Sequence, residues 1–526
     1  MGWNGFHTTL ALVYLASLLT VGILSGRKKR DSNQFLNATG ALPLWVCILA
    51  CIASNCGSLD VIAMMALGAQ YGALAFHFYW IGAIPALVVL TFWLLPAYAR
   101  GRYLTVLDFI AHSYGQETRS LVALCMAAMM LLLAGVCLCA VAQVMMTFVG
   151  LTFLQGVLIT APVVLFYTWA GGFRATVYTE LLHFAVVLAA IVPLFFLVVH
   201  DFGGFVPMLA RIPPSRIHAW QTLRFIAPAA TMDRFGLIVG LGLVLSFGFW
   251  STDFVQMQRA LAVRRPQDVP YVPLSMGAAK LIFALLVVLP GVVAPLVLRG
   301  EAATNWNATL PSMILHYYGP TWVVIGVMGL AASLVSTFAN NVAGFSSAWV
   351  QGIYQPWIRP RASEAHYVWM SRATNAAAVL MSIGAAYVAL SYQSLMEYIQ
   401  MILSIFNAPL FALVALAALA PRRVARGGVG GLAAGVVSAG LHQSLVFVGM
   451  LRYGSQMSAN FYAAILSFTV TCAGTLAMGG FRAPIHDAES GTAGEPMRVP
   501  VRFSVPTVMW ALVVAAACIL FNMIFW

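Results

Sequence analysis

The sequence is dominated by apolar runs that recur along its whole length. A helix crosses a lipid bilayer with about 20 consecutive apolar residues. We distinguish about fourteen runs of this kind, at 8–25, 43–68, 73–97, 120–147, 152–170, 177–199, 235–255, 272–298, 321–349, 372–392, 396–420, 428–451, 459–479 and 505–526. Hydrophobic residues make up 62% of the chain and charged residues 8%, which excludes a soluble globular domain. We therefore predict an all-α polytopic membrane protein.

The positive charges lie mostly in the short segments between these runs. The net charge of +12 would otherwise suggest a nucleic-acid partner, which this distribution excludes. Basic loops are expected on the cytoplasmic side, here at 26–42, 98–119, 257–271, 350–371, 421–427 and 480–504. Because Arg27–Arg30 follow the first run, that run is predicted to be a retained span and not a signal peptide. Both termini are then expected outside a cytoplasmic (inner or plasma) membrane, with lipid around the spans.

Nothing in the sequence indicates an enzyme or a bound cofactor. All eight cysteines lie within apolar runs and read as small buried residues, without the spacing of a disulfide or zinc site. The sequence has no Walker loop, no dinucleotide-binding glycine fingerprint and no HExxH or GxSxG motif. We therefore predict no catalytic residues, no cofactor and no metal site other than one for sodium.

Two of the apolar runs are interrupted by small and polar residues. The second run contains Ser54-Asn55-Cys56-Gly57-Ser58 and then Asp60, and the seventh contains Gly240, Gly242 and then Asp253. The two runs start on opposite sides of the membrane, with five spans between their starts. Paired interrupted helices in inverted repeats indicate a transport site, because unwound backbone offers carbonyl groups and helix ends to ions and solutes. The alternative is that these small residues only allow helices to pack closely.

A cluster of hydroxyl groups lies in the ninth run, within Ala331–Asn341. Ser333, Ser336 and Thr337 recur at helical spacing, so their oxygens share one face. Such a cluster is able to offer hydroxyl and carbonyl oxygens to a small hard cation. The alternative is that each hydroxyl only bonds to the backbone of its own helix.

Charged residues within the apolar runs each need a partner or a function, because burial in the bilayer costs about 3 kcal/mol or more. Asp60 and Lys280 both fall near the middle of their runs. We expect them either to pair with each other or to face a wet solute cavity. The two arrangements are compatible with each other. Glu180, Asp253 and Glu397 fall near the ends of their runs and are expected close to water.

Several stretches resemble the sodium:solute symporter family, which includes bacterial sodium/galactose and sodium/proline symporters. The resemblance extends from about Asn33 to Arg423 and is carried by Ala53-Ser54-Asn55, Phe78–Ala83, Tyr167–Phe173, Asp253–Ala262, Lys280–Gly291, Ala331–Asn341 and Glu397–Gln400. It implies a LeuT-like core of two inverted five-helix repeats, with broken first and sixth core helices. One span would precede this core and three would follow it.

The resemblance also implies particular binding residues. Sodium would be bound by the backbone carbonyls of Ala53, Cys56 and Ser333 and by the hydroxyls of Ser336 and Thr337. The solute would be bound by Asp60, Tyr79, Asp253, Lys280 and Gln400. Glu180 stands where the family has an aspartate on the path of sodium to the cytoplasm.

At three solute positions this chain departs from the sugar carriers of the family. Those carriers have glutamine at position 60, a carboxylate at 79 and asparagine at 253. A carboxylate at Asp60 and an amine at Lys280 would suit a zwitterion or an amino sugar as well as a hexose. The resemblance therefore transfers sodium binding more directly than sugar specificity.

Taken together, these features predict a sodium-coupled symporter that imports a small polar solute. Alternatives are a proton-coupled carrier of the same fold and a membrane sensor that does not transport. The expected division is 1–42 as a peripheral span and basic loop, 43–199 and 235–420 as the two repeats, 200–234 as an external loop, and 421–526 as peripheral spans with a cytoplasmic linker at 480–504.

Overall fold

The fold is known from a computed structural model of the chain. The structure describes positions 20, 256, 259 and 260 and residues 42–95, 105–170, 173–221, 223–253, 262–298, 305–419, 427–479 and 504–526. The first predicted run, 8–25, and the linker at 480–504 lie outside the described residues, except for positions 20 and 504. Within the described residues, every other predicted run is mainly helical. An isolated parallel bridge between Leu42 and Val263 is the β-pairing found within the described part.

The first half of the described chain contains the two parts of a broken helix and the long helices that follow it. Its α-helices are α1 (Leu44–Asn55), α2 (Ser58–Tyr71), α3 (His77–Trp80), α4 (Ile84–Val89), α5 (Val106–Tyr114), α6 (Gln116–Val149), α7 (Phe153–Ala170), α8 (Phe173–Asp201), α9 (Phe205–Arg211) and α10 (Pro214–Ile217).

The second half begins with a wide-turned π-helical segment, Gly236–Ser246, that leads into an α-helix. Its α-helices are α11 (Phe247–Thr252), α12 (Tyr271–Phe283), α13 (Leu289–Val297), α14 (Thr309–Tyr317), α15 (Pro320–Trp349), α16 (Glu364–Leu390), α17 (Leu395–Ile402), α18 (Ala408–Leu419), α19 (Gly428–Phe447), α20 (Gln456–Gly479) and α21 (Val505–Ile524). Further π-helical turns join α12 to α13 and α17 to α18.

The described helices are those of a multi-pass membrane protein. Ten helical stretches are long and apolar enough to cross a membrane, and three shorter apolar helices accompany them at Leu44–Asn55, Phe153–Leu165 and Gly236–Thr252. The prediction of an all-helical membrane protein is confirmed. The number of fourteen spans stays a prediction, since its first member is not described.

The first predicted interruption lies between α1 and α2. The helix ends at Asn55, and Cys56 and Gly57 leave helical geometry before α2 starts at Ser58. A side-chain carbon on Gly57 would lie 3.2 Å from the carbonyl oxygen of Ala53 and 3.2 Å from Ser333 Oγ. A larger residue at this position would force Ser333 or the end of α1 to shift by a few tenths of an ångström, which favours glycine.

The second interruption lies at the far end of the predicted stretch, at Asp253. The glycine-rich stretch stays helical as the wide-turned segment Gly236–Ser246, and the helix ends at Thr252, with Asp253 in extended geometry. A side-chain carbon on Gly240 would lie 2.7 Å from Phe461 Cβ, so that glycine serves close helix packing. The break therefore lies at Asp253, which follows the polar residues Ser251 and Thr252.

The hydroxyl-bearing helix α15 runs through the middle of the described fold. It packs along α6 and α8, and it also contacts α2. The other face of α2 packs against α13, while α19 and α20 pair with each other beside α18. This arrangement brings the break after α1, the hydroxyl face of α15 and the charged groups of α2 and α12 into one region.

Candidate functional site

The break between α1 and α2 borders a cavity of about 240 Å³. Its walls are mostly apolar and include Met129, Met130, Phe249 and Trp250. The polar groups in its lining come from several helices and include Asn55, Asp60, Tyr79, Asp253, Gln256, Lys280, Thr337, Asn340, Asn341 and Gln400. An apolar concavity with a few convergent polar groups is the usual form of a small-molecule site.

A charged cluster stands on one wall of this cavity. The Tyr79 hydroxyl donates a hydrogen bond to Asp60 Oδ2 over 2.6 Å. Lys280 Nζ lies 3.3 Å from Oδ2 and 3.4 Å from Oδ1 of the same carboxylate, and 4.5 Å from the centre of the Tyr79 ring. The side chain of Lys280 is 4% exposed and that of Asp60 is 17% exposed. The carboxylate is therefore the more accessible member of a charge-balanced group.

The structure shows the ion pair of Asp60 and Lys280, and their role towards a solute stays a prediction. The two side chains form an ion pair, and both also line the cavity. The N–O distances of 3.3 and 3.4 Å are at the long end for a direct contact. A strong charge-assisted bond is typically 2.7–2.9 Å long, so this pair is loosely held.

Asp253 and Gln400 border the same cavity from two other elements. Asp253 follows the end of α11, and its Oδ1 accepts a hydrogen bond from the Gln256 backbone N–H over 3.3 Å. Gln400 is buried on α17, and its Oε1 has no hydrogen-bond partner among the described residues. All five predicted solute residues thus line one cavity, and their role in binding stays a prediction.

The hydroxyl cluster of α15 meets the break in the first helix. The Ser58 backbone N–H donates to Ser333 Oγ over 3.1 Å, and the Thr337 hydroxyl donates to the Ser333 carbonyl over 3.0 Å. Ser336 is 3% exposed, and its Oγ is without a hydrogen-bond partner in the described part of the chain. Thr337 also lines the cavity, so ion and solute candidates are neighbours.

These groups fit a small hard cation. Because a helix leaves its last carbonyl groups without partners, Ala53 and Cys56 at the end of α1 have oxygens to offer. A buried hydroxyl without a partner is costly, and a cation beside Ser336 would remove that cost. Ser333 differs in part from the prediction, since its carbonyl already accepts the Thr337 hydroxyl while its own hydroxyl holds the start of α2.

Glu180 is buried, contrary to the expectation of an acid close to water. Helix α8 starts earlier, at Phe173, and Glu180 is 5% exposed. Its carboxylate accepts from Arg259 Nη2 over 2.6 and 2.7 Å and from Asn340 Nδ2 over 2.7 Å. These donors make burial of the charge tolerable. The contact with Asn340, three residues after Thr337, places the acid beside the hydroxyl helix, and an exit role stays a prediction.

Glu397 was also expected near water and is instead buried. Its side chain is 5% exposed. The Tyr71 hydroxyl and Gln70 Nε2, both at the end of α2, donate to its Oε1. Glu397 therefore ties α17 to α2, and the interfacial interpretation was wrong because these two donors satisfy the carboxylate inside the protein.

Three polar residues of the cavity were not singled out from the sequence. Asn407 Oδ1 accepts the Thr252 hydroxyl over 2.6 Å, and Asn341 Nδ2 donates to the Thr337 carbonyl over 3.1 Å. Gln256 contacts α1 through its side chain. An amide within an apolar run is a signal for such residues, since burial requires a partner or a ligand.

Comparison with known proteins shows to which protein family this chain belongs. The model of the sodium:solute symporter family matches residues 35–435 of this chain. The chain therefore belongs to the sodium:solute symporter family, a family of sodium-coupled transporters of small solutes. The resemblance inferred from the sequence is confirmed.

Individual relatives are distant but extend over most of the chain. Sodium/glucose cotransporter 1 of Ovis aries is 24% identical over 539 residues, which covers 92% of this chain and 80% of the relative. The sodium/glucose cotransporter of Vibrio parahaemolyticus is 22% identical over 456 residues and covers 81% and 82%. High-affinity choline transporter 1 of Caenorhabditis elegans is 24% identical over 465 residues and covers 81% and 76%.

One solved structure shares the fold. It is the substrate-bound outward-open state of a Na+-coupled sialic acid symporter, with a TM-score of 0.74 and 14% sequence identity. The match covers 91% of this chain and 99% of that one. At this identity the likeness establishes the fold alone, which is that of a sodium-coupled symporter.

Proposed function

We propose that this protein is a sodium-coupled symporter that imports a small polar solute by alternating access. The solute is of the class of sugars, sugar derivatives, amino acids or organic acids. One observation carries the proposal: Thr337 of the hydroxyl cluster and the Asp60–Tyr79–Lys280 group line the same cavity, at the break between α1 and α2. A cation and a solute bound there would be close enough to influence each other.

Sodium is proposed to bind between the end of α1 and α15. Its ligands would be the carbonyls of Ala53, Cys56 and Ser333 with the hydroxyls of Ser336 and Thr337. Because they belong to two different helices, a bound ion would favour one relative position of those helices. Sodium would thereby raise the affinity for solute, and the solute would raise the affinity for sodium by the same factor.

The solute is proposed to contact Asp60, Tyr79, Asp253, Lys280 and Gln400. Asp60 and Lys280 carry opposite charges that already compensate each other. A solute with hydroxyl groups, or one with both an amine and a carboxylate, is able to bind this pair without leaving a charge unbalanced. A solute with a single net charge would leave one member of the pair without its partner, at a cost that binding must offset.

The wider architecture is proposed from the same resemblance. We propose fourteen spans with an inverted five-plus-five helix core, comprising repeats at 43–199 and 235–420, an external loop at 200–234 and peripheral spans at both ends of the chain. Both termini would lie on the outer side of the cytoplasmic membrane, and the linker at 480–504 would lie in the cytoplasm. The basic loops of the sequence support this orientation.

The experiment that tests the function is thermal unfolding of the purified protein against a panel of solutes. Each solute is measured in sodium chloride and in N-methylglucamine chloride at equal ionic strength. A ligand at about 100 times its Kd stabilises the folded protein by about 2.7 kcal/mol. We expect one solute class to raise the Tm in sodium only. Stabilisation that follows pH and ignores sodium would favour the proton-coupled alternative.

A further inference from the structure

Gln256 connects two parts of the fold that are distant in sequence. It lies three residues after the break at Asp253, lines the cavity and is 6% exposed. The Cys51 thiol donates to its Oε1 over 2.9 Å, and its Nε2 donates to Ser54 Oγ over 2.9 Å. Both partners belong to α1. One side-chain amide thus joins α1 to the segment that follows the second break.

The contact is fixed at each end. The Ser54 hydroxyl donates in turn to the Cys51 carbonyl over 2.9 Å, so its lone pairs face Gln256. The Gln256 backbone N–H is held by Asp253 Oδ1. An amide that donates and accepts at defined partners has one favoured orientation. Nothing comparable was visible in the sequence, where more than two hundred residues separate the partners.

The contact lies at the border of the cavity. Ser54 and Gln256 belong to the lining, whereas Cys51 lies one helical turn further along α1 and does not. Further in the same direction the chain is joined again, because the Leu42 backbone N–H donates to the Ala262 carbonyl over 3.0 Å. In the proposed orientation this is the cytoplasmic end. A path to the cytoplasm between α1 and the segment after the second break would therefore pass Gln256.

We propose that Gln256 is the inner gate residue of this carrier, a positioning residue whose bonds to Cys51 and Ser54 must break before solute reaches the cytoplasm. The inference rests on the proposed function, since it assumes alternating access. Two hydrogen bonds shift the balance between closed and open inner ends by about tenfold or more in favour of the closed form. Removal of the amide is therefore expected to shift the equilibrium towards the open form by the same factor.

Cys51 is a native reporter for this gate, because it is buried behind the amide. In a background with the other cysteines replaced, Cys51 is labelled in inside-out vesicles by a membrane-impermeant maleimide. We expect Gln256→Ala to raise the initial labelling rate about tenfold. Gln256→Met keeps the bulk of the side chain without the amide and is expected to do the same. Ser54→Ala removes one bond of the two and should fall between these variants and the parent.

Gln143→Ala is the matched control, because Gln143 is a buried glutamine on α6 outside the cavity lining. It should leave Cys51 labelling unchanged.

Two results would overturn the gate. One is labelling of Gln256→Met at the parent rate, and the other is an equal rise in the Gln143→Ala control. The labelling needs neither sodium nor a known solute, so its failure is distinct from failure of sodium-dependent uptake in the unmodified protein, which would overturn the proposed function instead.

Discussion

Two of the ion pairs among the described residues, Arg259–Glu180 (the tight pair) and Lys280–Asp60 (the loose pair), differ in length, in the exposure of the acid and in position. Arg259 and Glu180 lie 2.6 Å apart, are 3% and 5% exposed, and do not line the cavity. Lys280 and Asp60 lie 3.3 Å apart, are 4% and 17% exposed, and both line it. The first pair is tightened by Asn340, whereas the second shares its carboxylate with the Tyr79 hydroxyl.

The difference indicates that an acid–base pair has a structural role in one place and is available to a ligand in the other. A short, buried ion pair with a further amide donor joins distant segments of the fold, and neither of its charges lines the cavity. A long pair at the wall of a cavity is able to exchange one partner for a solute group at small cost. The sequence, which shows only an acid and a base in apolar runs, does not distinguish these cases.

The largest expected effect comes from breaking the tight pair. Glu180→Ala leaves the Arg259 guanidinium buried without its carboxylate, which typically costs 3–5 kcal/mol. We expect a sharp fall in the yield of monodisperse protein and a lower Tm. The measurement is fluorescence-detected size exclusion followed by thermal unfolding. The double variant Glu180→Gln, Arg259→Met, which has no charge left, should recover much of the yield.

The second prediction breaks the loose pair without leaving a charge behind. The double variant Asp60→Asn, Lys280→Met should fold with a Tm near that of the parent, because no buried charge is uncompensated. Its sodium-dependent uptake should fall about 100-fold, as charged hydrogen bonds to the solute are lost. Uptake at the parent rate would show that this pair is structural, like the other one.

The third prediction concerns the proposed sodium site, which borders the same cavity as the loose pair. Ser336→Ala with Thr337→Ala removes two hydroxyl oxygens from the proposed sodium site while the α15 backbone stays intact. We expect the sodium concentration for half-maximal uptake to rise about tenfold, with expression largely unchanged. Ser346→Ala, a buried hydroxyl later on α15, is the control. An unchanged sodium dependence in the double variant would contradict the assignment.

The smallest expected effect tests whether the tight pair has any part in transport. The double variant Glu180→Gln, Arg259→Met keeps an oxygen for the contact with Asn340, removes the negative charge and leaves no buried charge uncompensated. If Glu180 draws sodium towards the cytoplasm, sodium efflux from oriented proteoliposomes should slow about threefold, since a nearby carboxylate attracts a cation by about 1 kcal/mol in water. Solute binding at equilibrium should change little. Efflux at the parent rate would leave Glu180 with a structural role alone.

Much of the fold was predictable, because hydrophobic length and charge placement decide membrane spans. The break at Cys56 and Gly57 followed from small polar residues in the middle of an apolar run. The hydroxyl face of α15 followed from helical spacing alone. The second predicted interruption extended from Gly240 to Asp253; the helix persists to Thr252, and Gly240 serves packing against Phe461, the alternative that the sequence had left open.

The partners of the polar residues were not predictable. Glu180 and Arg259 are 79 positions apart, and nothing in the local sequence around Arg259 separates a loop cation from a buried one. Glu397 was expected at the interface, yet Tyr71 satisfies it inside the protein. Such pairings depend on how distant helices pack, which spacing within one run does not report.

The most direct test of the account is the sodium dependence of solute binding at equilibrium. Radiolabelled solute found in the panel is titrated onto purified protein, with and without sodium, for the parent and for Ser336→Ala with Thr337→Ala. The account predicts that sodium raises solute affinity in the parent and that this gain is largely lost in the double variant. Equal solute affinity with and without sodium in the parent would contradict it.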